Sequence, residues 1–320
     1  MTLERLEMHS HAKSVGTINN GKIQIINKEL QMTTKNALIG LWAETSIHAG
    51  AGSSVDGIDL PIQREGHNNW PCVFGSSVKG ALRAKAEDKL GKGNESITYV
   101  FGPDSSSEKA SEHAGALLVS DARLLLLPVR SLTSHFKWVT CPALLQRLKR
   151  DAARLGLSLD FTEPNGPDNN SAITAATEAV DLFLEEYRFK TNAADLTSLI
   201  TVLNKITGIA SEDLNEQLVI VSNDQFNYLA KYATPVTPHI AIDNEKKVVK
   251  KGALWYEETL PAETAFYFAL SAHKSRGKEL PADAILKCIT EDLFGDSSYL
   301  QLGGNETVGM GWCKVTISEA

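Results

Sequence analysis

The sequence predicts an α+β fold, and three observations carry that prediction. An apolar run, Ala37 to Thr45, reads as a first core strand, and a helical pattern follows after Ser77. Helical stripes recur in the middle of the chain, at Leu144, Leu145, Leu148 and Ala152 and again at Leu196, Leu199, Leu203 and Ile206. Beyond residue 233 the pattern turns to strands, first an alternating segment around Asp243-Asn244 and then three more runs.

Residues 1–35 are polar and irregular, with one alternation, Lys22 to Ile26, that fits a short strand; they are expected to be an extension with no assigned function. The helix after Ser77 puts Val78, Ala81, Leu82 and Leu90 on one buried face, with Ser76 or Ser77 as its N-cap and Gly91 and Gly93 ending it. Ala116 to Val119 and Ala122 to Leu127 read as strands, with Pro128 stopping the second. Ala143 to Leu157 is a helix with Arg147, Arg150 and Arg154 outward. Glu163 to Ser171 is a turn-rich loop, and 189–231 is expected to be mostly helical. The segment Ala233 to Glu258 fits a β-hairpin, its tip carrying Lys246, Lys247, Lys250 and Lys251. Thr264 to Ser271, Tyr299 to Leu302 and Trp312 to Ile317 complete the strands.

Composition narrows the function classes. No apolar run reaches the roughly 18 residues of a membrane helix, and no secretory pattern opens the chain. Cysteines 72, 141, 288 and 313 form no C-x-x-C pair, which speaks against zinc and disulfides and fits a reducing cytoplasm. The formal charge is -7, but it is unevenly spread. Residues 75–155 hold thirteen Lys/Arg against eight Asp/Glu, whereas 156–228 hold three against twelve. The chain is thus expected to present one basic and one acidic surface, a pattern that bears on partners rather than on fold.

The densest stretch of candidate chemistry is His48 to Arg83. Glycines 50, 52 and 57 permit positive φ or close backbone approach around His48 and Asp59. Gly75-Ser76-Ser77 opens a helix whose N-terminus favours a phosphate, and Lys79 and Arg83 lie four apart on it. A second loop, Gly303-Gly304-Asn305-Glu306-Thr307-Val308-Gly309-Met310-Gly311, lacks both a Walker lysine and G-x-G-x-x-G spacing, so nucleotide cofactors are disfavoured. Its glycines fit either close approach to a phosphate backbone or a tight strand connection. On residue chemistry alone Asp59 is a turn residue, and the hairpin lysines are edge protection.

Three segments carry a resemblance that changes those weights: IDLPIQRE, FGSSVKGALR and LGGNETVGMGW, with FGPDSSSEKASEHAGALLVSDARLLLLPVRSL and GALWYEE between them. Together they resemble the Cmr-type RAMP backbone subunit of type III-B CRISPR effector complexes, from about Ala37 to Val315. The resemblance implies a ferredoxin-like (RRM-like) palm at 36–140 and 257–320. It implies a helical insertion at 141–231 and a thumb hairpin at 232–256. It implies crRNA and complementary single-stranded target RNA as ligands, copies of the chain stacked head to tail, and other type III-B subunits as partners.

In such proteins an aspartate matching Asp59 is essential for target cleavage. A carboxylate there can hold a divalent metal ion, Mg2+ or Mn2+, or position the attacking hydroxyl, and Asp59 is expected to be the metal ligand. His48 fits either a proton-transfer role or a bond to the glycine-loop backbone, and Glu257 a place on the thumb side of the active site. Glu258 is the solvent-facing acid in that reading, and Asp56 is near enough to be a second ligand although the resemblance does not point to it. RNA-backbone contacts are expected from Ser76, Ser77, Lys79, Arg83, Gly303, Gly304, Gly309, Gly311, Lys246 and Lys247, with Arg123 and Arg130 as possible additions to the groove. Two alternatives stand beside target cleavage: a non-catalytic crRNA-coating scaffold, and a crRNA-processing endonuclease.

Overall fold

The computed structural model describes residues 34–55, 57–104, 113–175, 181–276 and 278–320. Most of the 1–35 extension, its expected Lys22–Ile26 strand, and Asp56 lie outside them. In chain order the elements are β1 (Lys35–Ala43), β2 (Cys72–Val73), α1 (Gly75–Leu90), α2 (Glu95–Phe101), β3 (Leu117–Val119), β4 (Ala122–Arg130), β5 (Phe136–Thr140) and α3 (Pro142–Arg154). Then come β6 (Ser171–Thr174), β7 (Asp181–Leu184), β8 (Tyr187–Ala193), α4 (Thr197–Thr207), α5 (Ser211–Gln217), β9 (Leu218–Ile220) and α6 (Asn223–Tyr232). The chain closes with β10 (Val236–Asp243), β11 (Val248–Glu258), β12 (Ala265–Ala272), α7 (Ala282–Lys287) running into a π-turn, β13 (Tyr299–Gln301) and β14 (Trp312–Glu319).

One mixed sheet, ordered β13-β14-β1-β12-β4-β5-β9-β6-β8-β7, organises the molecule, while β10 and β11 form a separate two-stranded sheet. β1 lies between β12 and β14, antiparallel to both. Its alternate side chains enter two separate cores: Ile39 and Leu41 join Val78, Leu82, Phe266 and Phe268, whereas Leu38 joins Tyr267, Leu145, Leu199 and Leu203. Burial on both faces explains why ALIGLWA and AFYFAL read as unbroken apolar runs rather than alternations. Gly40 lets α4 approach the sheet; a Cβ there would fall 1.6 Å from the Ile206 carbonyl oxygen.

Several expectations need correction. α1 begins at Gly75, ahead of the expected serine cap, because Asp121 reaches across to accept the Gly75 N–H at 2.7 Å. Its buried residues are Val78, Leu82 and Ala86; Leu90 is exposed. β4 runs through Pro128 to Arg130. Its register with β12 ends at Leu126, leaving a side of β4 where a missing N–H costs no ladder bond.

The expected helical insertion, 141–231, carries four strands as well as helices. Its β7–β8 hairpin turns on Glu185-Glu186, with Glu185 at φ 50°, a pair that gives no turn signal in sequence. Arg147, expected outward on α3, is buried and bonded through Nη1 to both Glu65 carboxylate oxygens at 2.6 and 2.8 Å. The β10–β11 hairpin forms around residues 244–247 and extends past 256 to Glu258, so Glu257 lies within β11.

Candidate active site

After β1 the chain runs extended and is gripped from two sides. Ile47 exchanges both backbone bonds with Leu260, and His48 pairs with Gly304, whose N–H donates to the His48 carbonyl at 2.9 Å. Gly303 makes that second contact possible: it sits at φ 85°, and a Cβ would fall 2.4 Å from the His48 carbonyl oxygen. Gly311 is similarly pressed on the Leu302 carbonyl, at 2.2 Å. At these two positions the glycines serve packing of the strand against the loop. The loop's amides are spent too. Besides Gly304, Gly309 donates to the Glu306 carbonyl and Gly311 to the Ser46 carbonyl, so these N–H groups do not point at a phosphate.

The loop after Ala51 folds back along the foot of β11. Leu60 N–H donates to the Tyr256 carbonyl at 3.0 Å, and Glu258 N–H to the Leu60 carbonyl at 3.0 Å. This places Asp59, exposed, against β11, where its Oδ2 accepts the Tyr256 N–H at 2.7 Å. Among the described residues no hydrogen bond reaches Oδ1, so the carboxylate is oriented through Oδ2 alone.

Glu257 and Glu258 are successive strand residues and therefore face opposite ways. Glu257 turns toward His48 and the glycine-rich loop: its Oε1 lies 3.7 Å from His48 Nδ1 and accepts the Asn305 Nδ2–H at 2.5 Å. Glu258, expected to face solvent, is buried instead, because Arg64 pairs with it at 2.5 Å and Thr234 and the Ile62 N–H also donate to it.

The His48 ring is fixed by the Glu258 carbonyl, 2.8 Å from Nδ1. A carbonyl oxygen only accepts, so Nδ1 carries the proton and Nε2 is left as an acceptor. Nε2 lies on the Gly50 side, where a Cβ would come within 2.9 Å of it. The structure therefore brings His48, Asp59 and Glu257 together at the foot of the hairpin. Sequence reasoning missed Asn305 and Arg64 as organisers of this site. Asn305 had a signal, being the one asparagine in a glycine-rich loop; it takes the left-handed conformation such a turn needs, at φ 61°.

The expected RNA contacts divide. Ser77 Oγ accepts from Gln63 Nε2, which also donates to the Gly50 carbonyl, so α1 is tied to the site's glycine loop. Ser76 is exposed beside it. Lys79 and Arg83 do not project freely. Lys79 donates to the Leu117 carbonyl, and Arg83 bonds Glu87 and the Gly102 carbonyl. Burial, with Arg83 close by, holds the Lys79 ammonium below its ordinary range. Lys246 and Lys247 sit exposed in the hairpin turn, roughly 25 Å along β11 from Tyr256 at the usual strand rise. They are not part of the Asp59 cluster. Arg130 is engaged by Glu185.

Burial pushes the Cys72 and Cys313 thiols up to about 12 and Cys141 up to about 11, so none of these offers a thiolate nucleophile near neutrality. Among the described residues no three His, Cys, Asp or Glu side chains gather as a metal cage. A divalent ion at this site would take Asp59 as a protein ligand, which suits a hard ion that retains water and binds phosphate oxygens.

Comparison with known proteins identifies the family. The RAMP superfamily model matches residues 42–314, which include all three clustered residues and the glycine-rich loop. The CRISPR system Cmr endoribonuclease Cmr4 of Pyrococcus furiosus is 36% identical over 293 residues, covering 89% of this chain and 96% of that protein. The crystal structure of oligomeric Cmr4 from the same organism superposes with a TM-score of 0.67 at 30% identity, covering 89% of this chain and 98% of that one. A chain of the type III-B Cmr-beta complex, in its apo cryo-EM structure, gives 0.66 at 25% identity, with coverages of 89% and 97%. A family model spanning residues 42–314 and identity sustained over nearly the whole chain place it: the chain belongs to the RAMP superfamily, as a Cmr-type member.

Proposed function

We propose that this chain is the repeated backbone subunit of a type III-B CRISPR interference complex and an endoribonuclease within it. It binds the crRNA guide and cuts complementary single-stranded target RNA at regular intervals. One observation carries the reading: the loop holding His48 and Asp59 is bonded to the foot of the hairpin some 200 residues away, which brings both beside Glu257. The kinship to an enzyme described as a Cmr endoribonuclease supports the activity, and the oligomeric crystal form of a relative supports self-association.

In this reading the central sheet with α1 is the palm, and β10–β11 is the thumb. The mixed α/β segment 141–231 is an insertion. Copies stack head to tail along the guide, a heterologous contact that other subunits of the complex cap. Sequence is read by base pairing while the protein grips the backbone. No described helix is long and apolar enough to cross a membrane, and the free cysteines suit a cytoplasmic complex.

RNA brings its own nucleophile, the 2′-hydroxyl, once the backbone is bent to put it in line with the phosphorus. As the 2′-oxygen bonds to phosphorus the bond to the 5′-oxygen breaks, leaving a 2′,3′-cyclic phosphate and a 5′-oxygen that takes a proton from water. His48 Nε2 is the acceptor oriented to take the 2′-hydroxyl proton. The neighbouring Glu257 carboxylate then faces the imidazolium that forms. Asp59 is the residue that would hold a divalent ion. Such an ion, Mg2+ or Mn2+, would supply positive charge against the charge developing on the phosphate.

The test is gel mapping of target RNA cut by the assembled complex, wild type against Asp59→Ala, with and without chelator. Periodic cuts that vanish in the variant while RNA binding survives support the reading. Undiminished cutting by Asp59→Ala leaves only the guide-coating scaffold role, and metal-independent cutting of free crRNA precursor favours a processing enzyme.

A further inference from the structure

Behind the Glu258 wall of the active site lies a second cleft of about 530 Å3, between the 64–74 segment, β4 and α3. Four arginines line it: Arg64, Arg123, Arg147 and Arg150. The two acids in its lining are already engaged, Glu65 by Arg147 and Asp121 by the Gly75 N–H. The arginines differ in what they have left to give. Arg64 is consumed by Glu258, Thr234 and two backbone carbonyls. Arg147 is buried, yet its Nε has no hydrogen-bond partner. Arg123 gives Nη1 to Asp151 and leaves 34% of its side chain exposed. Arg150 is exposed and makes no hydrogen bond or ion pair with the described residues. At the same cleft Phe74 is 40% exposed just before α1.

A planar guanidinium with free donors matches a phosphate, and an exposed ring accepts a base face irrespective of sequence. The volume suits one small ligand. A protein carboxylate would satisfy the arginines but leave Phe74 uncovered. We propose that this cleft binds one nucleotide unit of an RNA strand, its phosphate on Arg150 and Arg123 and its base on Phe74. The site deepens the RNA-binding reading above and rests on it. It also has a direct line to the cutting centre: Arg64 on the cleft wall holds the Glu258 side chain, and the Glu258 carbonyl holds the His48 ring. A strand anchored here is held one side chain away from the residues that orient His48.

The experiment measures binding of a fluorescent single-stranded RNA to the full chain across a salt series, with thermal melting to confirm that each variant is folded. Arg150→Ala should weaken binding several-fold and lower the slope of log affinity against log salt by about 0.7, the value for one lost phosphate contact to a single strand. Arg150→Glu should weaken it further. Phe74→Ala should weaken binding about fivefold or more with the slope unchanged, since stacking releases no counterions.

Folded Arg150→Glu protein that keeps wild-type affinity and slope overturns the site. So does a loss of RNA-free self-association at unchanged RNA affinity, which would assign the cleft to an acidic face of a neighbouring copy. Failure of the site is separable from failure of the function: in the first case Asp59→Ala still abolishes cutting, and in the second the wild-type chain binds no RNA.

Discussion

The two ends of the β10–β11 hairpin are built on opposite principles. At its foot, Tyr256, Glu257 and Glu258 bond to three other segments, and both acids are buried. Toward its tip, Ile240, Ile242, Val248, Val249 and Leu254 are each about half exposed, and Lys246 and Lys247 have no acidic partner among the described residues. The foot is pre-organised by the protein itself, as a centre that must hold reacting groups in place requires. The tip carries the kind of exposed apolar surface that marks an interaction site. The difference teaches that chemistry and recognition are separated along one hairpin, so substitutions at its two ends should fail differently.

The largest effect is expected at the foot. Asp59→Ala should slow target cleavage by roughly 10^3-fold, about 4 kcal/mol of barrier, with guide binding retained; single-turnover kinetics on the assembled complex check it. Glu258→Ala sharpens the contrast between the paired acids. It leaves the half-buried Arg64 guanidinium without its carboxylate and should cost about 3 kcal/mol of stability, read as a lower urea midpoint. An Asp59→Ala variant equally destabilised would blur the distinction between an acid that acts and one that holds.

Smaller effects separate the glycines. Gly303→Ala drives a Cβ into the His48 carbonyl and combines a clash with a left-handed backbone, so about 3 kcal/mol is expected. Gly309 has the same kind of φ, 86°, but open space around it, and Gly309→Ala should cost only about 1 kcal/mol. Equal losses at the two would break the assignment of Gly303 to packing. The smallest effect belongs to the tip: Lys246→Ala with Lys247→Ala should leave thermal stability unchanged. If these lysines touch the RNA backbone, the salt slope of RNA binding falls by about 1.4, two single-strand phosphate contacts.

What could be read in the sequence follows this division. Apolar runs buried on two faces, such as Ala37 to Ala43, announce themselves as strands, as do the alternation and Asp243-Asn244 turn of the hairpin. Strands β6 to β8 did not, because the four-residue β6 and β7 give little periodicity and the Glu185-Glu186 turn leading into β8 lacks turn chemistry. Asp59, His48 and Glu257 were found through motif resemblance, since their convergence depends on isolated bridges between segments some 200 residues apart, which no local pattern encodes. The same limit hid the fates of Lys79 and Arg83, outward by helical spacing but bound to carbonyls supplied from Leu117 and Gly102. It also hid Glu258, whose partner Arg64 lies 194 positions away.

The central claim is that each copy carries its own cutting centre at the foot of its hairpin. Complexes reconstituted from defined mixtures of wild-type and Asp59→Ala chains, with the cuts in a labelled target mapped at single-nucleotide resolution, test it most directly. The account predicts that every cut position fades in proportion to the fraction of variant and that the pure variant gives none. Cuts that persist at full yield in the pure variant would contradict it.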